Sequence, residues 1–319
     1  MAAAPGTVAD MTAPSPASAL TGSPVYDLRT FFRAVGNPLF GPGLNAEPPE
    51  RRETTIPVEM LDDPDRVKVT ADPMDVAAFV DGVQSSLVVT HREHRPVYLC
   101  YQAAGAVGPG ALLVGMKERL TIVCSVADRD WVDEVNTTPA IPVSELPDVV
   151  PPEVERAAYA QLGDWRERLE RSLVEELVDA GQTPLVVDGS LLARPFSSHL
   201  CGVVKDAVHT RYLADESILY GLPAGWRSAR FKLPAKTDGC RFDRFSCYLR
   251  LHDARQFGWA HGLIRLESYD PAHLDALAAR AMAERQSSRS GDGRWDRHLA
   301  SVATTEKVLR SRRPTVFNF

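Results

Sequence analysis

The chain predicts an α/β fold built on a β-sheet of mixed strand direction, flanked by helices. Three observations carry that expectation. Short apolar runs separated by turn residues fill 76–126, the pattern of a β-meander. A Pro-free stretch over 153–180 places Leu162, Leu169, Leu173 and Leu177 at helical spacing and ends at Gly181, a favoured residue just past a helix. A strand at 185–188 follows that helix directly, and two alternating segments at 245–252 and 258–269 read as a later hairpin. This order is not a regular succession of βαβ units.

Taken in order, residues 1–24 are rich in Ala, Pro, Ser and Thr and are expected to form a disordered tail. Residues 25–65 make a flexible N-terminal arm. A short helix over 25–36 carries Leu28, Phe31, Phe32 and Val35 on one side, and a Pro/Gly/Glu-rich loop covers 37–53. The folded domain runs from 66 to 319. In it, 76–80 reads as a first strand and 85–90 as a second, beyond an Asp81-Gly82 turn. Runs at 96–103 and 110–115 flank a Gly-rich turn, and 120–126 adds another strand. A Pro-spaced loop over 137–152 leads into the long helix. After the 185–188 strand, an apolar run over 199–205 ends in Lys205. Asp270-Pro271 opens a helix to about 285, a Ser/Gly/Asp linker covers 287–293, and a last helix spans 295–312. No repeat of 20–50 residues is visible.

Composition narrows the function classes. The 319 residues are 44% hydrophobic and 24% charged, ordinary for a globular chain, and no apolar run approaches the roughly 18 residues of a membrane span. No basic segment precedes the N-terminal stretch, so no signal peptide, no membrane partner and a cytoplasmic location are expected. The five cysteines (Cys100, Cys124, Cys201, Cys240, Cys247) form no C-x-x-C pair and read as reduced and buried. A net charge of −6 argues against a broad basic surface, so any nucleic-acid contact must be local or shared with a partner. Basic residues do cluster at Arg227, Arg230, Lys232 and Lys236, and again at Lys307, Arg310, Arg312 and Arg313.

Two strings carry the chemistry: V-D-G-V-Q-S around Asp81 and V-V-D-G-S-L around Asp188. Each Asp ends an apolar run and precedes a Gly. A carboxylate at the tip of a buried strand, beside a residue that lets a ligand approach the backbone, suits a divalent cation. Two such tips side by side suit one or two Mg²⁺ or Mn²⁺ ions and phosphodiester hydrolysis. Asp-Gly is also a common turn, and a single copy would read as structure. Gly105-x-x-Gly108-Pro-Gly110 lacks the Lys-Ser/Thr of a phosphate loop and reads as a hairpin turn. His91-Arg-Glu-His94 lies in a polar turn without the form of a zinc motif.

In the order and spacing of its motifs the chain resembles the NurA nuclease family over about 66–312. The matching features are V-D-G at 80–82, an acidic helix, V-D-G-S-L at 187–191 and G-V-V-K at 202–205. They continue with Y-L-R-L at 248–251, G-L-I-R-L-E at 262–267 and R-W-D-R-H-L…E-K-V-L-R-S at 294–311. The resemblance implies an RNase H-like core, dependence on Mn²⁺ or Mg²⁺, action on DNA ends, a homodimer, and docking on a HerA-like hexameric ATPase that translocates DNA. It also implies a role in DNA end resection or anti-phage defence. Asp81 and Asp188 take the family's acidic positions. A Glu on the preceding helix is expected as a further ligand, with spacing favouring Glu170 and Glu167 next; Glu175 and Glu176 read as surface. Lys205 pairs with the scissile phosphate or a metal carboxylate, or else snorkels from a strand end. The family's C-terminal His has one nearby counterpart, His298, imperfectly offset, with Glu306 or water as alternatives. Arg227, Arg230, Lys232, Arg250 and Arg265 are the expected DNA contacts. A non-catalytic docking or DNA-clamp subunit of a motor ATPase complex, and a nuclease acting alone, are the rival readings.

Overall fold

In the computed structural model, residues 28–36, 41–42, 54–56, 58–137, 141–148, 150–192, 194–205, 210–233, 242–254, 258–286 and 297–317 are described. The expected disordered tail, the 287–293 linker, Lys236 and Cys240 lie outside them.

The chain begins with α1 (Leu28–Val35) and four short strands, β1 (Gly41–Pro42), β2 (Thr54–Thr55), β3 (Glu59–Met60) and β4 (Arg66–Lys68). Three long strands follow as an antiparallel meander: β5 (Ala78–Arg92), β6 (Arg95–Val107) and β7 (Leu113–Ser125). Then come α2 (Arg129–Val135), β8 (Val143–Leu146), the long helix α3 (Pro151–Asp179), β9 (Leu185–Asp188) and β10 (Leu200–Val204). The last third holds β11 (Thr210–Arg211), α4 (Ser217–Tyr220), β12 (Trp226–Ser228), β13 (Phe231–Leu233), β14 (Arg244–Arg250), β15 (Leu263–Ser268), α5 (His273–Glu284) and α6 (Ala300–Arg312). One mixed sheet runs β3-β13-β14-β15-β10-β9-β5-β6-β7-β8. At its centre β9 is parallel to both β5 and β10, whereas β10, β15 and β14 pair antiparallel. The fold is α/β with helices on both sheet faces.

The pleat assigns each face its cover. Ala78, Val80, Leu185 and Val187 pack with Leu173, Val174 and Leu177 of α3. Phe79, Val186 and Val203 turn the other way, to Leu274, Leu277 and Ala281 of α5 and Leu299 and Val302 near the start of α6. Further along the meander, Leu309 of α6 and Phe31 of α1 join Leu87, Leu99, Tyr101 and Phe317. A Cβ on Gly105 would lie 2.5 Å from Leu309 Cδ2, so that glycine seats α6 on the sheet.

Several boundaries differ from the sequence reading. Asp81-Gly82 is not a turn; β5 is a single strand through both residues. The stretches read as 110–115 and 120–126 belong to one strand, β7. The supposed loop over 137–152 contains β8, which adds to β7 in parallel. Glu93 and His94 take positive φ (45° and 71°) in a tight turn between β5 and β6, as the polar His91–His94 string suggested. Among the described residues, no helix is long and apolar enough to cross a membrane.

Candidate active site

β9 is only four residues long, and where it stops the neighbouring edge of β5 opens. Val80 pairs with Val187 in parallel register, so Asp81 and Asp188, one residue further along each strand, point to the same face. The two Asp-Gly strings read alike but hold their glycines for different reasons. Gly189 sits at φ +114°, a conformation that side chains rarely adopt, and turns the chain out of β9. Gly82 remains in the extended strand; a Cβ there would run into the Glu170 carboxylate and lie 3.0 Å from Arg166 Cγ. Glu170 therefore reaches β5 from α3, on the face opposite to the two aspartates. Gly202 is a third close approach, where a Cβ would be 2.7 Å from the Gly189 carbonyl oxygen. Its absence lets the 189–191 segment fold over β10.

The three carboxylates differ in how their charge is met. Asp188 receives Lys205 Nζ at 2.7 Å. Glu170, 3% exposed, is held at Oε2 by Arg194. Its Oε1 lies 3.3 Å from Arg166 Nη1, a charge contact without an aligned hydrogen bond. Asp81 accepts the Gly82 N–H at 2.8 Å and forms no ion pair among the described residues. Burial, followed by the charge of Asp188, pushes the Asp81 carboxyl up to about 8; Lys205 and the Gly82 N–H oppose the rise, and Glu170 adds to it. Asp81 is thus the buried acid of this cluster that lacks a cation.

The helix alternatives separate cleanly. Glu167 and Glu175 are exposed, Glu176 pairs with Lys117 on the rim, and Glu170 alone of the four is buried. Arg297, beside His298, donates to the Lys205 carbonyl at 3.2 Å, which brings the segment before α6 next to the site. Glu306, the alternative to His298, is paired with Arg310. Among the described residues, no three His, Cys, Asp or Glu side chains are already gathered to hold a metal.

The expected DNA contacts need correction. Arg250 is fully buried and donates to the carbonyls of Leu219, Leu222, Trp259 and His261. Arg227 is clamped between Asp62 and Asp275, and Arg230 grips Asp62 through several hydrogen bonds. Arg265 stacks over Tyr212 and lies 2.5 Å from Glu267, too poorly aligned for a hydrogen bond at that nitrogen. Lys232 is nearer the surface but pairs with Asp243 at 2.7 Å. Arg227, Arg250 and Arg265 are buried and committed to acceptors of their own chain, whereas Arg230 and Lys232 keep part of their side chains exposed. The described cysteines are all buried and free, as expected, and burial pushes Cys124, Cys201 and Cys247 up to about 12, which removes them as nucleophiles.

Two residues that the sequence reading passed over support the site. Glu267, fully buried on β15, accepts the Ser190 hydroxyl (3.0 and 2.9 Å) and the Leu191 N–H (2.8 Å). Burial works against its charge, but Arg265 and then Arg244, with Leu191 and Ser190, hold its carboxyl below the usual range. Arg194 is the second. The Tyr269 hydroxyl lies 3.1 Å from the Leu191 carbonyl oxygen and 3.3 Å from that of Arg194, fixing the segment that delivers this guanidinium to Glu170. The available signals were the R-x-E spacing on one face of a buried strand and an Arg six residues beyond the second Asp. No protein-family model matches the chain, and no curated protein matches it.

Proposed function

We propose that the chain is a metal-dependent deoxyribonuclease with an RNase H-like core, hydrolysing phosphodiester bonds at DNA ends. The observation that carries this reading is the Asp81–Asp188 pair: two carboxylates on adjacent parallel strands, facing the same way, one of them without a cation. The strand arrangement supports the core assignment. An antiparallel meander (β5–β7) is followed by a helix (α3) and two further strands parallel to the first (β9, β10). Asp81 falls on β5, Glu170 on α3 and Asp188 at the end of β9.

The residues fit Mn²⁺ or Mg²⁺ at Asp81 and Asp188, because a buried carboxyl driven to keep its proton for want of positive charge is one that a divalent cation relieves. Such an ion supplies an activated water and charge stabilisation for in-line attack at phosphorus. Asp81 and Asp188 would hold such an ion as carboxylates. Lys205, already directed at Asp188, is placed to share its charge with a non-bridging phosphate oxygen. Glu267 holds the backbone after Asp188 in position through Ser190 and Leu191. With the strand arginines committed internally, DNA must be confined by geometry, which favours a homodimer docked on a HerA-like hexameric translocase.

One observation favours the rival class, a non-catalytic docking or clamp subunit: Glu170 and Asp188 are already neutralised by arginine and lysine. Incubating the purified full-length protein with linear DNA and Mn²⁺ separates the two. Cleavage that EDTA, Asp81→Asn and Asp188→Asn each abolish supports the nuclease. Intact DNA under every condition, alone or with a hexameric ATPase, leaves the clamp.

A further inference from the structure

We propose that the outward side of α6 binds the phosphate backbone of a DNA strand through Lys307 and Arg310, beside the aspartate pair; the proposal rests on reading the chain as an enzyme that acts on DNA. Phe79 and Asp81 share one side of the pleat, and Phe79 packs with Leu299 and Val302. α6 therefore lies on the aspartates' face of the sheet. The Thr305 hydroxyl lies 3.3 Å from the Phe79 carbonyl oxygen, and Leu309 covers Gly105, the direct cross-strand partner of Asp81. One turn on, Arg313 Nη1 donates to the Ser85 hydroxyl at 3.0 Å. α6 thus follows β5 outward from the site.

The outward side of this helix is basic and open. A groove of about 450 Å³ lies on it, lined by Gln286, Thr304, Glu306, Lys307 and Arg310. Lys307 is exposed and forms no ion pair among the described residues. Arg310 directs Nε and Nη2 at a single oxygen of Glu306, and its Nη1 makes no hydrogen bond among the described residues. Both members of that pair reach solvent, where an ion pair holds weakly, so a phosphate can take the guanidinium over. Lys307, Arg310 and Arg313 recur every third residue and stand in one row. The row covers about 9 Å of helix axis, comparable with two or three phosphates of a strand that carries one charge per roughly 3.4 Å. Like charge is concentrated here: burial, and then Arg310, hold the Arg313 guanidinium below its ordinary value. An anion laid along the row relieves that repulsion. In a chain of net charge −6, residues 306–313 hold four cations and one carboxylate. This strip supplies the local contact that so acidic a chain needs and that the buried strand arginines do not provide.

The test is fluorescence anisotropy of a labelled single-stranded oligodeoxynucleotide in EDTA, where binding is read without cleavage, over a series of salt concentrations. Full-length wild type is compared with Lys307→Gln/Arg310→Gln and with Arg168→Gln/Arg171→Gln, which removes the same charge from exposed positions of α3 on the other sheet face. The α6 pair should bind roughly tenfold more weakly, and its slope of log affinity against log salt should be shallower by about 1.4. The α3 pair should stay near wild type. Equal weakening in both pairs is an effect of net charge alone and overturns the proposal. Unchanged binding by the α6 pair overturns it as well, as does a wild type that binds no DNA at low salt. Competition by polyglutamate as effective as that by unlabelled DNA also overturns it, since the surface then takes any polyanion. A second measurement needs no variant. Acetylation of Lys307 in wild type, read by peptide mass, should slow when DNA is bound; labelling that DNA leaves unchanged, in protein shown to bind it, overturns the proposal. Cleavage is scored separately in Mn²⁺. Binding that depends on α6, without any cleavage, keeps this surface and removes the catalytic reading.

Discussion

At the scale of single residues, Asp81 gives the sharpest expectation. Its carboxyl titrates near 8 in the fold against an ordinary 3.8. Across that window the folded state holds a proton that the unfolded chain has lost, so stability through this group falls as pH rises. The urea midpoint of wild type should therefore drop between about pH 5 and pH 8.5, and Asp81→Asn should flatten the slope. An unchanged slope in Asp81→Asn would show that Asp81 is ionised throughout. On catalysis, Glu170→Gln should lose Mn²⁺-dependent cleavage, whereas Glu176→Gln, which removes a partly exposed partner of Lys117, should keep it. A dead Glu176→Gln beside an active Glu170→Gln in a nuclease assay would reverse the helix assignment. The two aspartates were legible in the sequence because burial and a following glycine are local facts. The arginines were not. Nothing near Arg230 in sequence announces Asp62, 168 positions away, and nothing near Arg250 announces four carbonyl acceptors.

At the scale of elements, three glycines decide how closely the parts approach. Gly202→Ala would press on the Gly189 carbonyl, which belongs to the backbone and has little freedom to retreat. It should destabilise the protein by about 1–3 kcal/mol in urea titrations. Gly82→Ala meets the end of a side chain instead, so stability should change less and Glu170 should be displaced, lowering cleavage more than the unfolding midpoint. Leu309→Ala, on the fully buried side of α6 against Gly105, should cost about 2–5 kcal/mol. The long helix and the later hairpin were legible from periodicity alone. The continuity of β5 was not, because Gly82 reads as a turn residue unless its neighbour on α3 is known. β8 was hidden by the prolines around it, and its strand state comes from pairing with β7.

At the scale of the whole molecule, α1 belongs to the body and not to a free arm. Phe31 is 4% exposed among Leu87, Tyr101 and Phe317. Removing residues 1–36 should lower the melting temperature, because a phenylalanine-sized hole in a core costs about 3–5 kcal/mol. Light scattering after size-exclusion chromatography should give a dimer mass if the assembly proposal holds, and a monomer that never co-purifies with a hexameric ATPase would end it. The strand that carries Asp81 also runs without a break to the turn at Glu93 and His94. Those twelve residues span roughly 40 Å at about 3.3 Å each. The hairpin is in effect a ruler with the aspartate pair at one end. If the proposed nuclease activity holds, a body seated on its tip, or an obstacle on the DNA stopped there, would be held at a set stand-off from the point of cleavage, and fragment length would then be a property of β5 and β6.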